Sequence, residues 1–241
     1  MTRPTTVDVY RNPAGHALFF WFLGLAVLLP LHLMADTSRP SATERVVGII
    51  GDIRRTMVAS RYQHVTRVRT RAGEYFFDCS GMATWILKRS APGALATVGR
   101  PNGRRPLARH FFQTIARIAP GKKRGAWKRL ERIANAKPGD VLAWIRPDWF
   151  PSKSTGHVAF ILDTPKPNPG PVPGLLFRIA DASKFRHEDD TRKPGETGFG
   201  IGTLLVPTDP AGRPLGYGWF GSQTEADWVV PTDLVIGRPL R

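Results

Sequence analysis

The chain has 241 residues, 41% of them hydrophobic, with 22 prolines and 24 glycines. That is enough for one sizeable core, and so many turn residues exclude a plain helical bundle. Thirty-five lysines and arginines against nineteen acids give a net charge of +16, which predicts an anionic partner: nucleic acid, acidic lipid or a cell-wall polymer. One cysteine, Cys79, excludes an internal disulfide and leaves the redox compartment open.

Arg3 and Arg11 precede an unbroken apolar run from Ala17 to Leu29, which ends at Pro30 and is followed by Leu33-Met34-Ala35. A cationic start, a short apolar stretch and a small residue at the exit describe a signal peptide over residues 1–35, hence an exported protein of the periplasm or cell envelope. Thirteen apolar residues fall short of the roughly 20 that cross a bilayer. An uncleaved anchor is the alternative, and membrane contact is expected only in that case. Residues 36–241 read as a single domain.

Glu44 to Ala59 has helical spacing, and Thr66 to Thr70 alternates like a strand. Phe77-Asp78-Cys79-Ser80-Gly81 then opens a helix whose Met82, Trp85 and Ile86 form one stripe. Cys79 therefore lies at a helix N-terminus, where unpaired N–H groups and the positive end of the dipole favour an anion. Such a cysteine is either a nucleophile or a small inert hydrophobe. Ser90 to Pro106 reads as a loop, Leu107 to Ile118 as an amphipathic helix, and a second helix ends near Ala136 with Trp127, Leu130 and Ile133.

Residues 90–136 form a basic insertion. Between Arg100 and Arg132, eleven basic residues accompany one acid, Glu131. Such a run is a solvated face or a surface for an anionic envelope polymer. It lacks the interleaved aromatics of single-strand binders, so no nucleic acid is expected.

Beyond Pro138-Gly139-Asp140 the pattern turns to strands: 141–145, 156–162 and 175–181, the last two joined by a Pro-rich turn over 165–174 that neither helix nor strand would tolerate. Asp209-Pro210-Ala211-Gly212 marks a hairpin between 203–206 and 215–220, and a final strand spans 229–236. Helices first and an antiparallel sheet after them make the fold α+β. Trp144, Trp149, Trp219 and Trp228 are expected in the core, the alternative for Trp149-Phe150-Pro151 being the border of a cleft.

A symmetric hairpin about the Pro-rich turn pairs residues whose numbers sum to 338, setting His157 opposite Asp181 on one face. Cysteine at a helix start, histidine on a sheet and a carboxylate behind it make a nucleophile, base and orienting group. Asp163, His187, Asp189 or Asp190 would take the third place in another register. His64 and His110 read as ordinary surface or packing residues. No ligand spacing suggests zinc, and no cofactor is implied.

Asp78-Cys79-Ser80-Gly81, Pro138-Gly139-Asp140-Val141-Leu142-Ala143-Trp144, Gly156-His157-Val158-Ala159-Phe160 and Ala180-Asp181-Ala182-Ser183 occur in the order seen in NlpC-type cell-wall peptidases, which the chain resembles over residues 62–183. The resemblance implies a papain-like fold, with Cys79 as nucleophile, His157 as base and Asp181 at the third polar position, often a second histidine in that family. It also implies substrate contacts from Tyr62, Asp78, Ser80 and Gly156. The function expected is cleavage of an amide in peptidoglycan stem peptides through a thioester. An amidase or acyltransferase on another substrate, or a wall-binding module with a decayed site, are the alternatives. The paired glycines usual upstream of the cysteine are replaced here by Arg71-Ala72-Gly73-Glu74, and residues 184–241 carry no motif.

Overall fold

In the computed structural model, which describes residues 39–100 and 103–240, Ser41 caps the first helix, α1 (Ala42–Thr56). Its hydroxyl accepts from the Glu44 N–H while the Glu44 carboxylate accepts from the Ser41 N–H, a reciprocal capping box. Val46, Ile50 and Ile53 form the buried stripe. α2 (Cys79–Ser90) lies against α1 and turns Met82 and Ile86 inward, with Trp85 half-buried beside Tyr75. The signal-peptide reading concerns residues outside the described ones. Among the described residues no helix is long and apolar enough to cross a membrane.

Before α2, strands β1 (Ala59–Tyr62), β2 (Arg67–Arg69) and β3 (Glu74–Phe77) make a small sheet in the order β1-β3-β2, with β1 parallel to β3. The basic insertion holds a short helix α3 (Pro92–Ala96) where a loop was expected, then α4 (Ala108–Ala116) as the periodicity predicts. The second expected helix is instead a hairpin, β4 (Lys123–Arg124) with β5 (Trp127–Arg129), followed by a single 3-10 turn. Gly125 at φ 59° makes the tight turn that breaks the helical pattern. Trp127 is buried, and its indole N–H donates to the Ala94 carbonyl at 2.9 Å.

The larger sheet adds β6 (Val141–Ile145), β7 (Gly156–Ile161), β8 (Lys166–Pro167), β9 (Gly174–Ser183), β10 (Gly198–Pro207), β11 (Gly216–Gly218), β12 (Val229–Pro231) and β13 (Leu234–Pro239). Its strands run in the order β12-β11-β10-β9-β7-β6-β13-β5-β4, and β8 pairs with β9. The expected final strand is thus two. β12 forms one edge, whereas β13 inserts between β6 and β5. Three residue steps join Pro231 to Leu234, at most about 11 Å, so the sheet must curl until its β12 edge approaches β13. The fold is mixed α+β, dominated by this antiparallel sheet.

Curling gives the sheet two buried faces. Val158, Phe160, Ala180 and Ala182 pack outward under α1, α2 and α4, while Ala159, Ile161, Phe177 and Ile179 fill the concave side with Trp144, Leu204 and Ile236. The strands accordingly read as near-continuous apolar runs rather than clean alternations.

The register of β7 on β9 differs from the symmetric expectation. Phe160 faces Ala180 and Ile161 faces Ile179, so paired numbers sum to 340 rather than 338. Within the Pro-rich segment, Lys166 and Pro167 pair with Leu176 and Leu175, a strand where only a turn was expected. Asn168 closes the bend by bonding the Val172 carbonyl and the Gly170 N–H. The hairpin therefore turns further along than its proline content suggests, with a bulge between β7 and β8. A two-residue shift preserves the face, and His157 and Asp181 become diagonal rather than direct neighbours.

Candidate active site

Asp78 starts α2. Its Oδ1 accepts from the Gly81 N–H at 2.7 Å and from the Ser80 hydroxyl at 3.0 Å, a cap of about 1 kcal/mol. Cys79 is thereby fixed in the first helical turn, buried at 5% exposure. A Cβ on Gly81 would lie 2.4 Å from the Thr66 hydroxyl, so a side chain there would crowd the segment that leads into β2.

His157 follows Gly156 at the start of β7. Gly156 has φ 135°, and a Cβ there would meet the Trp144 carbonyl at 2.1 Å. The glycine thus allows β7 to close on β6 directly beneath the histidine, which pairs with Trp144 and stacks near its ring at 4.8 Å. His157 Nε2 lies 2.8 Å from Asp181 Oδ2. Its remaining nitrogen, Nδ1, is the one free of Asp181, and Cys79 lies near enough for its charge to act on the ring. Burial disfavours the charged imidazole, yet the charge of Cys79 and the bond from Asp181 outweigh it and raise the pKa to about 10.

Asp181 is wholly buried on β9. Beside His157, its Oδ2 meets His187 Nε2 at 3.0 Å, and Oδ1 accepts from Arg192 Nη2 at 2.9 Å. Burial opposes ionisation, but the charges of His187 and Arg192 and the bonds from both histidines hold the carboxyl well below its ordinary range. His187 Nδ1 lies 3.0 Å from the Trp219 carbonyl, and its ring stacks on Trp219. Asp190 fixes both ends of this support, accepting from the His187 N–H at 2.8 Å and pairing with Arg192.

A second cluster surrounds Asp78. Arg105, from the basic insertion, donates to Asp78 Oδ2, to the Ser80 hydroxyl at 2.6 Å and to the His64 carbonyl at 2.8 Å. Burial would raise the Asp78 pKa, but the bonds from Arg105, His64 and the Gly81 N–H lower it. The Tyr62 phenol is held above its usual pKa, first by burial and then by the charges of Cys79 and Asp78.

Tyr62, Gly156 and His157 line a cleft of about 760 Å³. Asp78 and Ser80 are buried and turned toward Arg105. Phe150 borders the cleft, whereas Trp149 and Trp228, expected in the core, are 63% and 49% exposed. The sequence signalled His187 and Asp190 only as substitutes for Asp181, and Arg192 not at all. A buried arginine is visible beforehand only as one more member of a long basic count. Among the described residues no group of three or more His, Cys, Asp or Glu is arranged to hold a metal ion. The chain matches no family model, no curated protein and no solved structure.

Proposed function

We propose that this protein is an exported cysteine hydrolase that cleaves an amide through a thioester on Cys79. The observation that carries the reading is an imidazole that lines a cleft and is held by a buried carboxylate, with a thiol at a helix start near enough for its charge to act on the ring. His157 Nδ1 takes the thiol proton, and the thiolate attacks the carbonyl carbon. The imidazolium then returns the proton to the departing amine as the C–N bond breaks. Water, deprotonated by His157, cleaves the thioester and regenerates the thiol. Asp181 keeps the ring oriented and stabilises its positive charge.

Asp78 already uses the N–H groups of Gly81 and Met82. An oxyanion hole would therefore draw on those of Cys79 and Ser80 at the positive end of α2. A nucleophile heading a helix packed on an antiparallel sheet that carries the base supports a papain-like, NlpC-type assignment, on the motifs described above.

Peptidoglycan stem peptides are the substrate this assignment implies, with the exposed part of the basic insertion against the anionic wall. Purified sacculi incubated with the full-length protein should release new amine termini, and Cys79→Ala should release none while keeping the native circular dichroism spectrum. Equal release by both would remove the thiol mechanism. Activity confined to other amides would fit the second reading, an amidase or acyltransferase, which the aromatic walls of the cleft favour.

A further inference from the structure

We propose that the cleft beside His157 binds an anionic amphiphile, an acyl compound with an apolar body and a carboxylate or phosphate. The inference rests on the cysteine chemistry proposed above and takes the second of its substrate readings, an amide other than peptidoglycan.

The cleft of about 760 Å³ is large enough for a whole small ligand. It opens at the end of the curled sheet, where Trp144, Tyr217, Trp219 and Val230 form its inner wall and Phe150, Phe185 and Phe220 its outer part. Phe185 is 68% exposed and Phe220 is 43% exposed. Phe185 is nonetheless held in place, because the Ser183 hydroxyl accepts from its N–H and donates to its carbonyl, both at 2.9 Å. An exposed phenyl ring on a pinned turn, at the mouth of an aromatic cavity, is a contact surface for something apolar.

The charges are one-sided. Lys184 and Arg186 flank Phe185 in the chain, and Lys153 lies across the cleft; Glu196 is the one carboxylate among the lining residues. Among the described residues none of those three cations has a carboxylate within 4 Å, unlike Arg105 or Arg192. Arg146, also in the lining, is committed to the carbonyls of Pro147, Phe150 and Ser154, which fold the loop bearing Phe150. An aromatic wall edged by three cations without a carboxylate partner, one of them over the Tyr62 ring, suits a ligand that is apolar along its length and negative at one end. A wall peptide brings carboxylates but no apolar body, a neutral chain leaves the cations unmatched, and a cationic one is repelled. In the reaction, the Cys79 thiolate would form a C–S bond to the acyl carbon while the amine leaves with the proton from His157. Water then releases the acid.

Calorimetric titration of full-length Cys79→Ala with N-octanoylglutamate, octanoylcholine and glutamate tests this. N-octanoylglutamate should bind at least tenfold more tightly than either of the others. Lys184→Ala/Arg186→Ala should abolish its advantage over octanoylcholine, and Phe185→Ala should cut its advantage over glutamate several-fold. These side chains are exposed, and unchanged circular dichroism would exclude unfolding. Equal binding of the three probes overturns the proposal, as does tighter binding of a peptidoglycan disaccharide-tripeptide. Iodoacetamide labelling of Cys79 in the wild type and in His157→Ala separates the two ideas. Labelling that depends on His157, without ligand preference, removes the amphiphile and leaves the hydrolase. Labelling indifferent to His157 removes the hydrolase.

Discussion

Asp181 and Asp140 are both wholly buried, and each is bonded to an arginine, yet their remaining partners differ. Arg238 grips both oxygens of Asp140, with Nε and Nη2 each at 2.7 Å, and the Lys137 N–H adds a third bond. Every partner is a structural group, and the result is a closed turn ahead of β6. Arg192 takes only one oxygen of Asp181, leaving Oδ2 to two histidines, one of them facing a cleft. Burial and an arginine alone do not mark a candidate catalytic carboxylate. What separates the two is where the second oxygen points, and whether its partner can exchange a proton.

The largest effects should come from the cleft side. His157→Ala should lower turnover by about 10⁴-fold, and Asp181→Asn by about 10³-fold while the protein stays folded. A rate that survived Asp181→Asn would reduce that residue to the standing of Asp140. Next in size is the response to pH. The folded His157 pKa of about 10 lies above its ordinary 6.5. The stability it contributes is therefore complete below about pH 6.5 and lost as pH rises through 10, and the alkaline limb of the rate should fall over the same range. Melting temperatures measured from pH 6 to 10.5 should decline in the wild type and decline less in His157→Ala.

Asp140→Asn tests the other side. It breaks a buried pair whose arginine is partly solvated, so a loss of about 2–3 kcal/mol is expected, read from urea midpoints, with turnover per folded molecule unchanged. A changed rate at full folding would erase the distinction between the two acids. The smallest effect belongs to Arg105→Ala, about 1–2 kcal/mol for the bonds it makes to Asp78 and its neighbours. It should cost only a few-fold in rate, because Cys79 keeps its cap from Asp78.

The sequence made Cys79, His157 and Asp181 legible as candidates because each sits in a local pattern: a cap before a helical stripe, and two strands about a turn. The expected pairing of His157 with Asp181 arose from a register two residues out. It held as a contact because an even shift keeps the face. The helix expected around Trp127, Leu130 and Ile133 failed where spacing alone was used, since Gly125 turns the chain and Trp127 is buried through strand pairing instead. His187, Asp190 and Arg192 meet only through the loop between β9 and β10. That loop's course is set by bonds to distant groups such as the Trp219 carbonyl and the Ser222 N–H, which no local pattern encodes. The place of β13 was equally hidden, because one apolar run gives no hint that it divides between two distant parts of a sheet.

That division has a consequence for how the molecule comes into being. β6, the strand directly beside the one that bears His157, has its other flank covered by residues 232–237. Until the ribosome has released that stretch, β6 presents an unpaired row of amides and carbonyls, open to mispairing. Its contacts lie some ninety positions apart in the chain, the kind that form late. The proposed centre is therefore assembled only after residues 232–237 have been made, so a nascent chain that has not reached them carries no organised site.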